Sequence, residues 1–204
     1  MSKTDFKKEL KYLYQPSAKI VAVVDVPRMN FLSIDGSGNP NTAPEYALAV
    51  EALYTMAYAL KFKVKKGKPS MDYAVMPLEG LWWADDMSQF SVKNKEAWKW
   101  TMMIMQPEYV TSQLFAESLS EVAEKKVLPA LSLLRFESYQ EGQSAQIMHI
   151  GPYSKEEPTV AKLHTFIRQN GYDLSAKHHE IYLKDPRKST PGKLQTVIRQ
   201  PFKK

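Results

Sequence analysis

The segment His178-His179-Glu180-Ile181-Tyr182-Leu183 sets the residue types of acid–base and ion-pairing chemistry at strand spacing. With a period of two, His178, Glu180 and Tyr182 share one face, while His179, Ile181 and Leu183 share the other. The second set is expected to pack beneath helices, so that a carboxylate and an aromatic ring project from the opposite face, either into water, as the strand alone suggests, or into a cleft between the halves. A carboxylate in apolar surroundings holds a cation or, when ionised, accepts a proton from water. More aromatics gather at comparable places. Tyr153 follows Gly151-Pro152 after a strand, Trp82 and Trp83 follow Pro77-Leu78-Glu79-Gly80-Leu81, and Trp98 and Trp100 open the next strand. At least two of these tryptophans are expected as packing residues. An aromatic pocket with one acid suits planar, hydrophobic or cationic organic molecules, through stacking and cation–π attraction.

Other chemistries lack their parts. The chain has no cysteine, which removes disulfides, thiolate catalysis, iron–sulfur clusters and cysteine-ligated zinc. Adjacent histidines diverge on a strand, and no H-E-x-x-H sequence occurs, so neither a metal nor a cofactor is expected. His149, in a strand before Gly151-Pro152, reads as a hydrogen-bonded structural histidine. Gly36-Ser37-Gly38-Asn39-Pro40 is a turn without the lysine or spacing of a phosphate loop, and there is no G-x-S-x-G elbow. The net charge of +6 comes from 28 Lys and Arg against 22 Asp and Glu. Its basic residues are scattered in small clusters at 61–68, 184–188 and 203–204, which reads as solvated surface and not as a nucleic-acid footprint. No apolar run approaches the roughly 18–20 residues that span a bilayer. The charged start, Met1 to Leu10, is no secretory signal. The expected partners are therefore small molecules, with no nucleic acid and no membrane, in the cytoplasm.

What must position these residues is a frame that repeats itself. Met103-Ile104-Met105-Gln106-Pro107 matches Val197-Ile198-Arg199-Gln200-Pro201. Upstream, Phe31-Leu32-Ser33-Ile34-Asp35-Gly36 matches Gln146-Ile147-Met148-His149-Ile150-Gly151. The 204 residues, 44% hydrophobic and 25% charged, suit a globular chain. Each half predicts a ββαββ order. In the first half the strands are 19–26 and 29–34 about Pro27, then 72–78 and 98–106, with a helix from Pro44 capped by Thr42. A connector helix covers about 112–126. In the second half a hairpin, 133–139 and 144–150, turns at Glu141-Gly142. A helix with Pro158 near its start and Gly171 past its end follows, then strands 178–183 and 194–200. The expected fold is α+β: duplicated modules related by a pseudo-twofold, antiparallel sheet with helices on one face and a ligand cleft on the other. Residues 1–18 form an N-terminal extension and 19–204 one domain. Repeat one covers about 19–107, the connector about 108–130 and repeat two about 131–204. Each half alone would be marginal, so a shared core is expected.

Three stretches resemble the GyrI-like small-molecule-binding family: Gln146–Tyr153, His179–Pro186 and Thr196–Pro201. Pro77-Leu78-Glu79-Gly80-Leu81-Trp82-Trp83 further resembles a stand-alone branch of it. The resemblance runs from about Ile20 to Pro201. It implies the effector-binding fold of multidrug-sensing activators, in which the glutamate of the E-I-Y-L strand pairs with cationic drugs; that residue is Glu180 here. About twenty residues precede the first strand, too few for the activators' DNA-binding domain. Some stand-alone members hydrolyse the strained cyclopropane of planar DNA-alkylating compounds. The resemblance thus implies Glu180 activating water and Tyr153 stacking on the substrate. Tyr182, Trp82, Trp83, His178 and Tyr46 would complete the ligand-binding set. The alternative is a non-catalytic multidrug-binding or sequestering module, in which Glu180 is only a counter-ion.

Overall fold

Runs of β-branched and apolar residues, broken by prolines and polar turns, dictate the element order. In the computed structural model, which describes residues 3–68, 70–86 and 94–204, that order starts with α1 (Phe6–Glu9), α2 (Lys11–Tyr14), β1 (Ala22–Ser37) and α3 (Pro44–Lys66). It continues with β2 (Leu78–Trp83), β3 (Lys99–Gln106), α4 (Ser112–Lys125) and β4 (Arg135–Ile150). The chain ends with α5 (Glu157–Gln169), β5 (Asp173–Leu174), β6 (His178–Tyr182) and β7 (Gln195–Lys203). The pairs β1–β3, β2–β6, β4–β7, β5–β7 and β6–β7 are all antiparallel, so the chain is α+β as expected. No described helix is long and apolar enough to cross a membrane.

Contacts divide the chain into two compact units. One gathers Met29–Met76 and Trp83–Tyr139 with a short N-terminal piece ending at Phe6; the other gathers Lys7–Arg28, Pro77–Trp82 and Gln140–Lys204. In the first unit β1 pairs with β3 from Asn30↔Gln106 to Ser37↔Lys99. Every β3 residue from Trp100 to Gln106 is buried, which is why that strand reads as one apolar run. Helix α3 buries Ala49, Ala52, Leu53, Met56, Ala57, Leu60 and Val64, a stripe at three- and four-residue intervals. Pro44 opens it, where a missing N–H costs nothing. Thr111 caps α4 by accepting from the Leu114 amide. The Trp100 ring lies across Gly36, where an added Cβ would stand 2.1 Å from a ring carbon.

In the second unit the strands run β2–β6–β7–β4, with β5 pairing the end of β7. Gly80, Glu180, Ile198 and Ile147 lie abreast across this sheet and so share a face. Helix α5 packs on that face, with Leu163 and Ile167 closing on Ala145, Ile147 and Ile198. Burying the Leu and the three Ile side chains contributes roughly 1.5–3 kcal/mol each, less the entropy of ordering them.

Three local expectations are corrected. The two strands predicted before each helix are one continuous strand, β1 in the first half and β4 in the second. Pro27 has an extended backbone by nature and sits exposed, so it does not turn the chain. Gly142 adopts φ +73 inside β4, and the strand runs on through it without reversing. The strand expected at 72–78 begins only at Leu78. Pro77 supplies no N–H for a ladder, and Tyr73 makes only an isolated bridge with Thr4. Trp82 and Trp83 therefore lie within a strand. The N-cap of α3 is Ala43, not Thr42, and it makes no side-chain capping bond.

Candidate functional site around Glu180

Strand alternation in β6 places His178, Glu180 and Tyr182 together, as expected, but the face is the one that α5 covers. The register Glu180↔Ile198 fixes this, and so does the His178 ring, which meets His164 of α5 edge-on at 6.5 Å. The opposite face, expected to be apolar, carries His179 and a buried ion cluster. The error has a physical source: alternation assigns residues to a common face, but not which face a helix will occupy.

On the Glu180 face, both carboxylate oxygens are held. His178 Nε2 lies 3.2 Å from Oε1, and the Tyr182 hydroxyl donates to Oε2 at 2.7 Å. The Trp82 indole N–H donates to the same hydroxyl at 3.0 Å, so that oxygen accepts from one partner and donates to the other. The Tyr153 ring, 39% exposed and set in a turn just before α5, meets the Tyr182 ring edge-to-face at 5.6 Å. Glu180 keeps 17% of its side-chain surface open. Burial acts to raise its pKa. The hydrogen bonds from His178 and Tyr182 and the nearby imidazole charge outweigh it and hold the carboxyl below its ordinary value. His164 is pushed down to about 4 by burial and by His178 and Arg168, so it stays neutral. Gly80, directly opposite Glu180 on the same face, brings no side chain beside the carboxylate.

The other face of the same sheet holds Glu79, Glu141, His179 and Arg199, all buried. His179 binds Glu79 through Nε2 at 3.0 Å and Glu141 through Nδ1 at 3.0 Å. With both nitrogens aimed at carboxylates it must carry both protons. Burial would lower its pKa, but Glu141 and Glu79 lift it to about 9. Glu141, raised by burial, is pulled down to about 2 by His179 and Arg199. Arg199 also donates to Gln146 at 2.9 Å and to the Leu13 carbonyl at 2.8 Å, and Tyr14 donates to Glu79 at 2.9 Å. Thus α2 is tied onto this face. Part of the signal was present in the sequence: Arg199 is a charged residue inside a predicted strand, whereas Glu141 stood in the predicted turn and Glu79 just past the strand expected at 72–78.

Of the expected site residues, the second unit brings together Glu180, His178, Tyr182, Tyr153 and Trp82. Trp82, 3% exposed, acts from beneath through Tyr182. Trp83 and Tyr46 belong to the first unit, where Tyr46 meets Trp100 edge-on at 5.4 Å. His149 is the structural histidine expected, bonded to Thr159 at 3.0 Å and to the Pro152 carbonyl at 3.3 Å. Among the described residues no group of three or more His, Asp and Glu is arranged for a metal ion. Two concavities of the first unit, about 530 Å³ beside Gly36 and Trp100 and about 480 Å³ between α3 and α4, are lined by other residues than these five.

Residues 21–203 match the GyrI-like small molecule binding domain family, and the chain belongs to it. An uncharacterized conserved protein from Listeria innocua is similar at 38% identity and TM-score 0.91, covering 98% of this chain and 100% of its own. A hydrolase from Listeria innocua is 38% identical with TM-score 0.88, covering 99% and 100%. The C-terminal domain of EcmrR, at 13% identity and TM-score 0.57 over 91% and 98% of the two chains, shares the fold. No curated protein matches the chain.

Proposed function

We propose that the protein binds planar hydrophobic or cationic molecules against Tyr153 and Tyr182, with Glu180 as the charged partner. We further propose that it hydrolyses cyclopropane-bearing planar alkylators, a detoxifying reaction. The observation that carries this reading is the carboxylate of Glu180: ionised, oriented through both oxygens, partly open, and bordered by two tyrosine rings. The full-length likeness to a protein described as a hydrolase supports the catalytic half. Ring strain drives the reaction, so the protein has to hold the substrate and supply one oxygen at the strained carbon. The sequence expectation, water activated by Glu180, is one route to that product.

A second reading, a binding or sequestering module, is favoured by the same lowered pKa, because a permanent anion is a good counter-ion. One experiment separates them. A cyclopropane-bearing planar alkylator is incubated with catalytic amounts of protein and followed by chromatography and mass spectrometry. Gain of one water per substrate over many turnovers supports the hydrolase. Binding with no change in ligand mass supports the module and overturns the hydrolase.

A further inference from the structure

The surroundings of Glu180 discriminate between two ways of delivering that oxygen. A general base works best when its proton affinity matches the pH at which it acts. Glu180 is arranged otherwise: His178 stands on Oε1 at 3.2 Å and the Tyr182 hydroxyl on Oε2 at 2.7 Å, with Trp82 polarising that hydroxyl from 3.0 Å. Each donor stabilises the anion against the acid, so the group is built to stay ionised and not to collect a proton. A nucleophile has the opposite requirement. It must be charged, fixed in direction and open at a lone pair. Each oxygen of Glu180 retains a further lone pair beyond the bond described. The side chain is 17% open, and Gly80 leaves the adjoining position on that face without a side chain. His178 completes the set, an imidazole already within reach of the carboxylate it would later help to regenerate.

We propose that Glu180 is the nucleophile that opens the ring, forming an alkyl ester, and that His178 serves the water that cleaves this ester. The proposal rests on the hydrolase reading and narrows its substrate to a cyclopropane conjugated with a carbonyl in a planar ring system. In the first step a Glu180 oxygen bonds to the unsubstituted cyclopropane carbon. The ring bond from that carbon to the conjugated system breaks, and its electron pair passes to the carbonyl oxygen, which takes a proton from solvent. Esterification removes the anion that Nε2–H faces, so the imidazole can exchange tautomer through solvent, moving its proton to Nδ1 and presenting Nε2 as an acceptor with no net change in protons. In the second step water adds to the ester carbonyl carbon and gives a proton to His178. Collapse expels the product alkoxide, which takes that proton back. The carboxylic acid left on Glu180 releases its proton to solvent, balancing the one taken in the first step. The sum is one water added, with no oxidant or reductant. The oxygen in the product comes from Glu180, and water replaces it in the protein.

The test is a single turnover in heavy-oxygen water, with wild-type protein in excess over a cyclopropane-bearing planar alkylator. Afterwards the tryptic peptide His178–Lys184 and the product are weighed. The covalent route predicts one heavy oxygen in the peptide, on Glu180, and none in the product of that first turnover. A His178→Gln variant, checked for folding by thermal melting, should accumulate the same peptide carrying the mass of the substrate. Heavy oxygen in the first product with an unlabelled peptide overturns the covalent route and leaves the hydrolase reading standing. No product at all overturns both. The wild-type experiment decides the route even where the variant does not fold.

Discussion

At the scale of the residue, Glu180 is defined by its partners, and two substitutions separate its possible roles. Glu180→Gln keeps size, removes the charge and turns one of the two acceptor oxygens into an amide donor. Turnover should fall by about three orders of magnitude, within the span of lost acid–base or nucleophilic groups. Neutral planar ligands should bind nearly as before, while cationic ones lose about tenfold, or about 1.4 kcal/mol; titration of intrinsic tryptophan fluorescence reads both. Tyr182→Phe keeps the ring that meets Tyr153 and removes the donor to Oε2. Activity that needs an ionised Glu180 is present above its pKa and lost as pH falls through it. Removing a donor raises that pKa, so the acid limb of kcat/KM should move to higher pH. A limb that stays in place would mean that the hydroxyl does not govern this carboxylate.

At the scale of the element, the helices and strands were legible where packing follows period. The start of α3 at Pro44, the start of α4 at Ser112, the helix ending before Gly171 and the edges of β3 and β6 all come from local chemistry. The two long strands were not legible, because Pro27 and Gly142 carry turn chemistry that the rest of the strand overrides. The same limit governs the site. Alternation grouped His178, Glu180 and Tyr182, yet only the register with Ile198 and Ile147 shows that α5 lies over them. Tests at this scale address packing. Leu163→Ala, at a fully buried position of α5, should cost roughly 2–5 kcal/mol by the cavity it leaves. Gly36→Ala drives a methyl into the Trp100 ring and should cost about 1–3 kcal/mol. Denaturant midpoints measure both, and a Leu163→Ala midpoint equal to wild type would remove α5 from the core described here.

At the scale of the whole molecule, the buried ion cluster ties stability to pH. Glu141 has its pKa lowered from 4.5 to about 2, so its contribution is complete above 4.5 and is lost as pH falls from there toward 2. His179 is raised from 6.5 to about 9, so its contribution is complete below 6.5 and is lost as pH rises toward 9. Thermal stability should therefore be greatest between these windows. The alkaline loss should be on the order of 3 kcal/mol, shared among His179, Glu141, Glu79 and Arg199. His179→Ala should be strongly destabilising and should flatten the alkaline limb; a limb unchanged in that variant would assign it to other groups. This cluster and the Glu180 site occupy opposite faces of one strand, so stability and chemistry should be set by neighbouring residues with separate pH responses. Catalysis by Glu180 is tested most directly by the time course of water addition to a cyclopropane-bearing planar alkylator, wild type and Glu180→Gln in parallel at saturating ligand. Wild type should give many turnovers and the variant none above background. Equal turnover by the two proteins would contradict a catalytic Glu180.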